Sequence, residues 1–217
     1  MSHHLRTVLW GALAVSLAGA CLPYTVGQTA QTLPSGETRQ TGILYMIPHA
    51  VDVIGDSVGA PMRGADVELR RGLDERSDIG LRIPSYSGAV VTYKRRLAGS
   101  ASPDRSVMSI MAGGGLVNWG EHAEVELTLF ASGRQSGAVT PYGGARVMQV
   151  APLSAGAVHD SPTAGGFFGL RIAFDDLEVG PEVGVYWDRS ALGLRKANYI
   201  IVPGVSLQRR SRRGSPR

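Results

Sequence analysis

The stretch His122–Ser132, HAEVELTLFAS, decides how this chain is read. Successive side chains of an extended strand point to opposite faces. Ala123, Val125, Leu127, Leu129 and Ala131 therefore share one side, and His122, Glu124, Glu126, Thr128, Phe130 and Ser132 share the other. The same alternation recurs upstream. Val67 and Leu69 oppose Asp66, Glu68 and Arg70, and Ile79, Leu81 and Ile83 oppose Asp78 and Arg82. Segments of this kind, separated by turn residues, predict strands at Gln40–Ile47, Ala65–Arg71, Asp78–Ile83, Ala89–Arg96, Val107–Gly115, His122–Ser132, Thr140–Gln149, Gly166–Phe174, Leu177–Trp187 and Asn198–Gln208. No helical period stands out beyond the first twenty residues. Pro181 and Pro203 fall inside proposed strands, where each removes a ladder donor, and are expected at bulges or strand starts.

The connections between these segments differ in length. Those after the second, sixth and eighth strands are brief, whereas PHAVDVIGDSVGAPMRG, APLSAGAVHDSPTAGG and DRSALGLRKAN follow the first, seventh and ninth. PSYSG and NWGEH, after the third and fifth, are short. Short links at one rim and long loops at the other are the habit of a membrane barrel. The parity places both ends of the barrel at the short-link rim, the periplasmic side.

Ahead of the strands lies a leader. Arg6 precedes the apolar run VLWGALAVSLAG, and small residues lead into Cys21, the only cysteine. That layout is a secretory signal peptide over residues 1–20, too short for a spanning helix of about 20 apolar residues. Leu17-Ala18-Gly19-Ala20-Cys21 resembles a bacterial lipobox, which implies a lipid on Cys21, although Ala18 stands where leucine is usual and conventional cleavage near Ala20 is the alternative. With one cysteine no intramolecular disulfide forms. Residues 21–39, polar and poor in large apolar side chains, are expected to be a flexible tether between a lipidated N-terminus and a barrel over residues 40–208. Residues 209–217 are expected to be a basic disordered tail.

Charged residues make up 18% of the chain, below the usual ~25%, and its 29 glycines are well above average. The net charge of +4 is a property of the ends. Without Arg6, Arg209, Arg210, Arg212, Arg213 and Arg217, 16 basic residues face 18 acidic ones, so no basic face for nucleic acid is expected.

GLDERSDIGLRI (Gly72–Ile83), TPYGGARV (Thr140–Val147) and VGPEVGVYWD (Val179–Asp188) resemble strands and turns of bacterial outer-membrane β-barrel proteins. The resemblance covers most of residues 40–208 and implies an all-β, antiparallel, up-and-down transmembrane barrel of about ten strands, with eight as the second count. Its partners would be membrane lipids and the outer-membrane assembly machinery, and its surface ligand is unspecified. The family's terminal aromatic residue is replaced here by YIIVPGVSLQ and an arginine tail.

A barrel in lipid must turn its apolar face outward, since every backbone group has to be satisfied internally. The polar face then lines a narrow lumen, and its charges are expected to pair. The expected network is Glu68, Glu124, Glu126, Glu178 and Glu182 against Arg70, Arg82, Arg146 and Arg171, with Lys94 and Arg96 also available. A lumen filled in this way leaves no wide pore. Gly143, Gly169, Gly180 and Gly184 are expected to make room for it, and Tyr86, Tyr93, Trp119, Tyr142, Trp187 and Tyr199 to form interfacial girdles.

Two other classes fit the same pattern. A lipid-tethered soluble β-barrel would turn the apolar face inward around a small apolar ligand. An outer-membrane lipid hydrolase would use His159-Asp160-Ser161, but sequence neighbours on a loop are not thereby arranged for catalysis. His122 beside Glu121 and Glu124 lacks a second histidine at ligand spacing, and Gly113–Gly115 lacks the lysine of a phosphate loop. The reading is a structural or surface-binding barrel with no catalytic, cofactor or metal residues assigned.

Overall fold

The computed structural model describes residues 23–48, 61–85, 87–100, 105–135, 138–153, 162–187 and 199–209. Ten strands follow one another: β1 (Thr38–Ile47), β2 (Met62–Gly72), β3 (Ser77–Pro84), β4 (Ala89–Ala98), β5 (Val107–Val117), β6 (His122–Ser132), β7 (Val139–Pro152), β8 (Thr163–Ala173), β9 (Leu177–Trp187) and β10 (Ile200–Arg209). Each pairs antiparallel with its sequence neighbours, and β1 pairs with β10, so the sheet closes into a ten-stranded barrel and the count of eight is set aside. Closure leaves no unpaired edge. The ends of β2, β7 and β8 exceed the expected bounds because MRG, VAP and TAG carry too few large side chains to continue the alternation visibly.

The alternation in β6 resolves in one direction. Val125, Leu127 and Leu129 are 57%, 49% and 45% exposed on the outer surface, while Glu124, Glu126 and Thr128 are buried inside. β3 repeats this, with Ile79, Leu81 and Ile83 outward and Asp78 and Arg82 inward. The barrel thus wears its oily face outside, which removes the basis for the soluble alternative with an apolar ligand cavity.

The interior is not wholly polar. Tyr24, Ile43, Tyr45, Ile47, Val90, Val117, Met148, Tyr186, Ile200 and Val202 form an apolar cluster near the end of β1 and the start of β10. A second cluster gathers Val26, Ala30, Val107, Met111, Phe130, Tyr142 and Phe167. Tyr142 therefore faces the lumen and is not part of an interfacial girdle. Tyr93, Trp119, Trp187 and Tyr199 do lie on the outer surface or its rims, while Tyr86 falls outside the described residues. Lumen tyrosines lie against glycines of a neighbouring strand: a Cβ on Gly169 of β8 would lie 2.5 Å from Tyr142 Cζ of β7, and one on Gly165 of β8 would lie 2.6 Å from Tyr186 Cδ1 of β9, while Gly184 on β9 itself leaves room for the same ring.

Pro181 and Pro203 start no strand and mark no bulge. They pair in continuous register with Val205 and Val183 and point outward, each at the cost of one ladder donor. A register shift lies elsewhere, between Arg96 and Ala98.

Two rims follow from the connectivity. The near rim carries the start of β1, the end of β10 and the connections 73–76, 99–106, 133–138 and 174–176. The far rim carries 48–61, 85–88, 118–121, 153–162 and 188–199. Residues 23–33, expected to belong to a flexible tether, instead run through the lumen from the far rim to the near one. Tyr24 packs among the far-rim cluster, whereas Leu33 donates its N–H to Asp78 near the start of β3. The chain then turns at Gly36, whose φ of +78° suits glycine, and enters β1. The two ends of the described chain are therefore on opposite rims, not together. A composition rule reads this segment as tether because it cannot build a core of its own; the barrel wall supplies the partners.

Candidate functional site

The lumen is built from inward residues of successive strands, and its charges form connected groups. Glu68, fully buried on β2, accepts from Arg70 Nη1 at 2.7 Å and from Arg82 Nη2 at 3.4 Å. Arg70 turns its other edge to Asp78, with Nε and Nη2 at 2.9 and 2.6 Å from Oδ1, and Lys94 Nζ lies 3.3 Å from Asp78 Oδ2. A two-nitrogen grip of this kind suits a carboxylate better than a lysine would. Across the barrel Glu126 pairs with Arg146 in direct contact. Glu182 accepts from Tyr142 Oη at 3.0 Å, and Arg171 lies 6.0 Å above the Tyr142 ring.

Of the expected network, Glu68, Arg70, Arg82, Glu126 and Arg146 enter ion pairs. Glu124 is buried, with no hydrogen-bond partner for either carboxylate oxygen. Arg171 and Glu182 bind main chain, as described below. Glu178 stands apart, half-buried beside Gln208 Nε2 at 2.8 Å near the near rim. Asp66 and Asp78, on the polar faces of their strands, lie outside the expected network. Both are buried, and Asp66 accepts the Ser85 N–H at 3.2 Å. The alternation alone could have included them.

What the sequence did not disclose is the principal client of these charges. The wall donates to every main-chain carbonyl from Pro23 to Gln31 except that of Gln28. Arg146 reaches Pro23, Tyr186 Oη reaches Tyr24 at 2.7 Å, and Arg82 spans Thr25 and Val26 at 3.0 and 2.8 Å. Arg171 holds Gly27 at 2.6 Å, Ser109 holds Ala30 at 2.5 Å, and Lys94 reaches Thr29 at 3.5 Å and Gln31 at 2.7 Å. Glu182 accepts the N–H groups of Val26 and Gly27 at 2.7 and 2.8 Å. Gln28 is held by its side chain, donating to both Glu68 oxygens at 2.7 and 2.6 Å. Gly27 adopts φ +65°, and a Cβ there would fall 2.8 Å from Ile43 Cδ1, so the seat admits only glycine without displacement.

Cys21 and the His159-Asp160-Ser161 run lie outside the described residues. Among the described residues no group of three or more His, Cys, Asp or Glu is placed to hold a metal ion.

No protein-family model matches the chain, and no curated protein matches it. Solved structures with some similarity include Neisserial surface protein A, at 12% identity over 80% of this chain and 96% of that one, TM-score 0.35. The outer membrane protein OprG of Pseudomonas aeruginosa aligns at 13% identity over 84% and 97%, TM-score 0.33. The outer membrane protein Ail of Yersinia pestis aligns at 14% identity over 80% and 99%, TM-score 0.33.

Proposed function

We propose that this chain is an outer-membrane β-barrel without a wide pore, closed by its own N-terminal segment, with a non-catalytic structural or surface-binding role. The observation that carries the reading is the direction of the two faces. Leucines, valines and isoleucines cover the outside of β3 and β6, and ion-paired charges lie inside. In water that arrangement would expose the apolar face and bury the charges, which is unfavourable on both counts. In hydrocarbon it is what a closed sheet requires.

The near rim supports an orientation. Arg71, Arg95, Arg134 and Arg209 are exposed there, where guanidinium groups would meet phosphate headgroups while the far rim carries the longest connections outward. Those connections, 48–61, 153–162 and 188–199, are the contact surfaces of this reading, since loops carry variable function on barrels. The outer-membrane assembly machinery and membrane lipids are its partners. A lipid on Cys21 belongs to this reading, on the outer side. Pro23 lies at the far rim, so an anchor two residues upstream belongs in the outer leaflet and not on the periplasmic side.

The test is fractionation with and without the cysteine. Wild type and Cys21→Ser are both expected to stay in carbonate-washed membranes, to need detergent for release and to migrate faster unboiled than boiled. Release of Cys21→Ser by carbonate, with no heat-dependent shift, would sink the membrane reading. An epitope placed directly after residue 21 should be reached by antibody on intact cells; reactivity only after permeabilisation would return the N-terminus to the periplasm.

A further inference from the structure

The wall holds residues 23–33 almost entirely by main-chain atoms. Apart from Gln28 on Glu68 and Lys94, a 3.4 Å contact between Gln135 and Thr29, and the Thr32 hydroxyl donating to the Glu75 carbonyl at 3.4 Å, the hydrogen bonds that hold this segment use its carbonyls and N–H groups. The donors and acceptors come from β3, β4, β5, β7, β8 and β9, that is, from most of the circumference. None of the strand ladders uses residues 23–33, and β1 closes on β10 without them. The segment is therefore an occupant and not a stave.

Around it remain polar groups that the protein does not satisfy. Both oxygens of Glu124, Oε1 of Glu126, the Nε atoms of Arg82 and Arg146, and Nη1 of Arg171 are buried without a hydrogen-bond partner. Groups of this kind cost free energy in a dry apolar space and are at home in a wet one. The lumen wall is a polar surface whose fit to the segment is incomplete, and it suits water and ions once the segment is gone.

We infer that the barrel wall is a binding site for extended polypeptide main chain, filled by the chain's own residues 23–33, and that vacating it leaves an ion-conducting lumen. The inference rests on the reading that the barrel spans a membrane. Its ligand class is an uncharged extended peptide with an aromatic residue at the second position and glycine at the fifth, as in Pro23-Tyr24-Thr25-Val26-Gly27. Side chains matter less than backbone because the wall reads backbone.

The test keeps the full chain during folding. In a Cys21→Ser chain, which carries no lipid to hold the fragment, a site for a specific protease is inserted between Ser35 and Gly36, which are exposed at the turn, and the chain is cut after folding. Intact protein in a planar bilayer should be silent. After cutting and a wash in moderate urea, discrete current steps should appear, and a synthetic peptide of residues 22–35 should abolish them. A peptide with Thr25, Val26 and Thr29 all changed to alanine should block nearly as well. One N-methylated at Val26, unable to donate to Glu182, should need about tenfold more. Labelled peptide binding to the cut barrel in detergent gives the binding result independently of any membrane.

As a control, Thr25→Cys with Gly204→Cys in a Cys21→Ser chain should stay silent after cutting until reduced, since a Cβ on Gly204 would lie 2.8 Å from Thr25 Oγ1. A fragment that leaves only when the barrel unfolds, a released fragment with a silent membrane, or a block that vanishes with the alanine peptide would each overturn the proposal. Protein with no heat-dependent shift would instead sink the membrane reading, while peptide binding in detergent would still decide the site.

Discussion

At the scale of single residues, Glu68 shows how dependent these buried charges are on one another. Its carboxylate faces Arg70, Arg82 and Gln28 at once, so Glu68→Ala leaves two guanidinium groups without their shared counter-charge. Breaking a buried pair from one side costs about 3–5 kcal/mol. Glu68→Ala should lower the urea midpoint of the barrel folded in detergent accordingly, and Glu68→Gln, which keeps an acceptor, should lower it less. Unfolding with an unchanged midpoint would mean the lumen is wet enough to solvate both arginines. Leu127 tests the opposite face. It lies at the middle of β6 and 49% exposed. Leu127→Arg should cost about 2–4 kcal/mol when folding is measured in lipid vesicles, whereas a water-facing leucine at this position would tolerate the change.

The hairpin between β2 and β3 is the element whose local chemistry is easiest to follow. Asp74 accepts the Arg76 N–H at 2.6 Å and the Ser77 hydroxyl at 2.6 Å, closing the tight turn at residues 73–76 between the strands. The Ser77 hydroxyl, followed by the Arg76 amide, holds the Asp74 carboxyl below the ordinary aspartate range. A carboxyl depressed on folding contributes stability above its unfolded pKa and loses it as pH falls through the lower folded value. The turn should therefore be fully held above about pH 4 and loosen below it. Hydrogen exchange at the Arg76 amide checks this: protection should fall as the medium becomes strongly acidic, and in Asp74→Ala it should be low at every pH. Strand boundaries at this hairpin were legible because the acidic-basic turn interrupts two well-alternated runs. They were less legible at β7 and β8, where Gly143, Gly144, Gly165 and Gly166 interrupt the pattern on both faces.

For the whole molecule, the segment through the lumen changes what closes the barrel. Extended over residues 23–33 it covers roughly 33 Å, comparable to the ~30 Å hydrocarbon core. The Tyr24 ring packs tilted against Tyr186, centroids 5.7 Å apart, beneath the far mouth, and Leu33 is held by Asp78 at the other end, so both ends of the plug are pinned. Glu182→Gln weakens the carboxylate that receives the Val26 and Gly27 amides. It should raise protease accessibility of residues 23–33 in membranes while the heat-dependent gel shift stays, separating plug from barrel. Equal loss of both would show that the barrel cannot close without its occupant.

The alternation in His122–Ser132 and its counterparts determined by itself that the chain makes antiparallel strands with one oily and one charged face, because a period of two is written in neighbouring residues. It also showed which residues share the charged face, without Asp66 and Asp78 being taken into the expected network. It left open which face turned outward, since an alternating strand looks the same in a soluble barrel and a membrane one. Closure between β1 and β10, the inward turn of Tyr142 and the threading of residues 23–33 were decided only in three dimensions. The last is the plainest case: the segment has no hydrophobic period and no ladder, and its order comes from arginines, a lysine and a glutamate more than forty residues away along the chain.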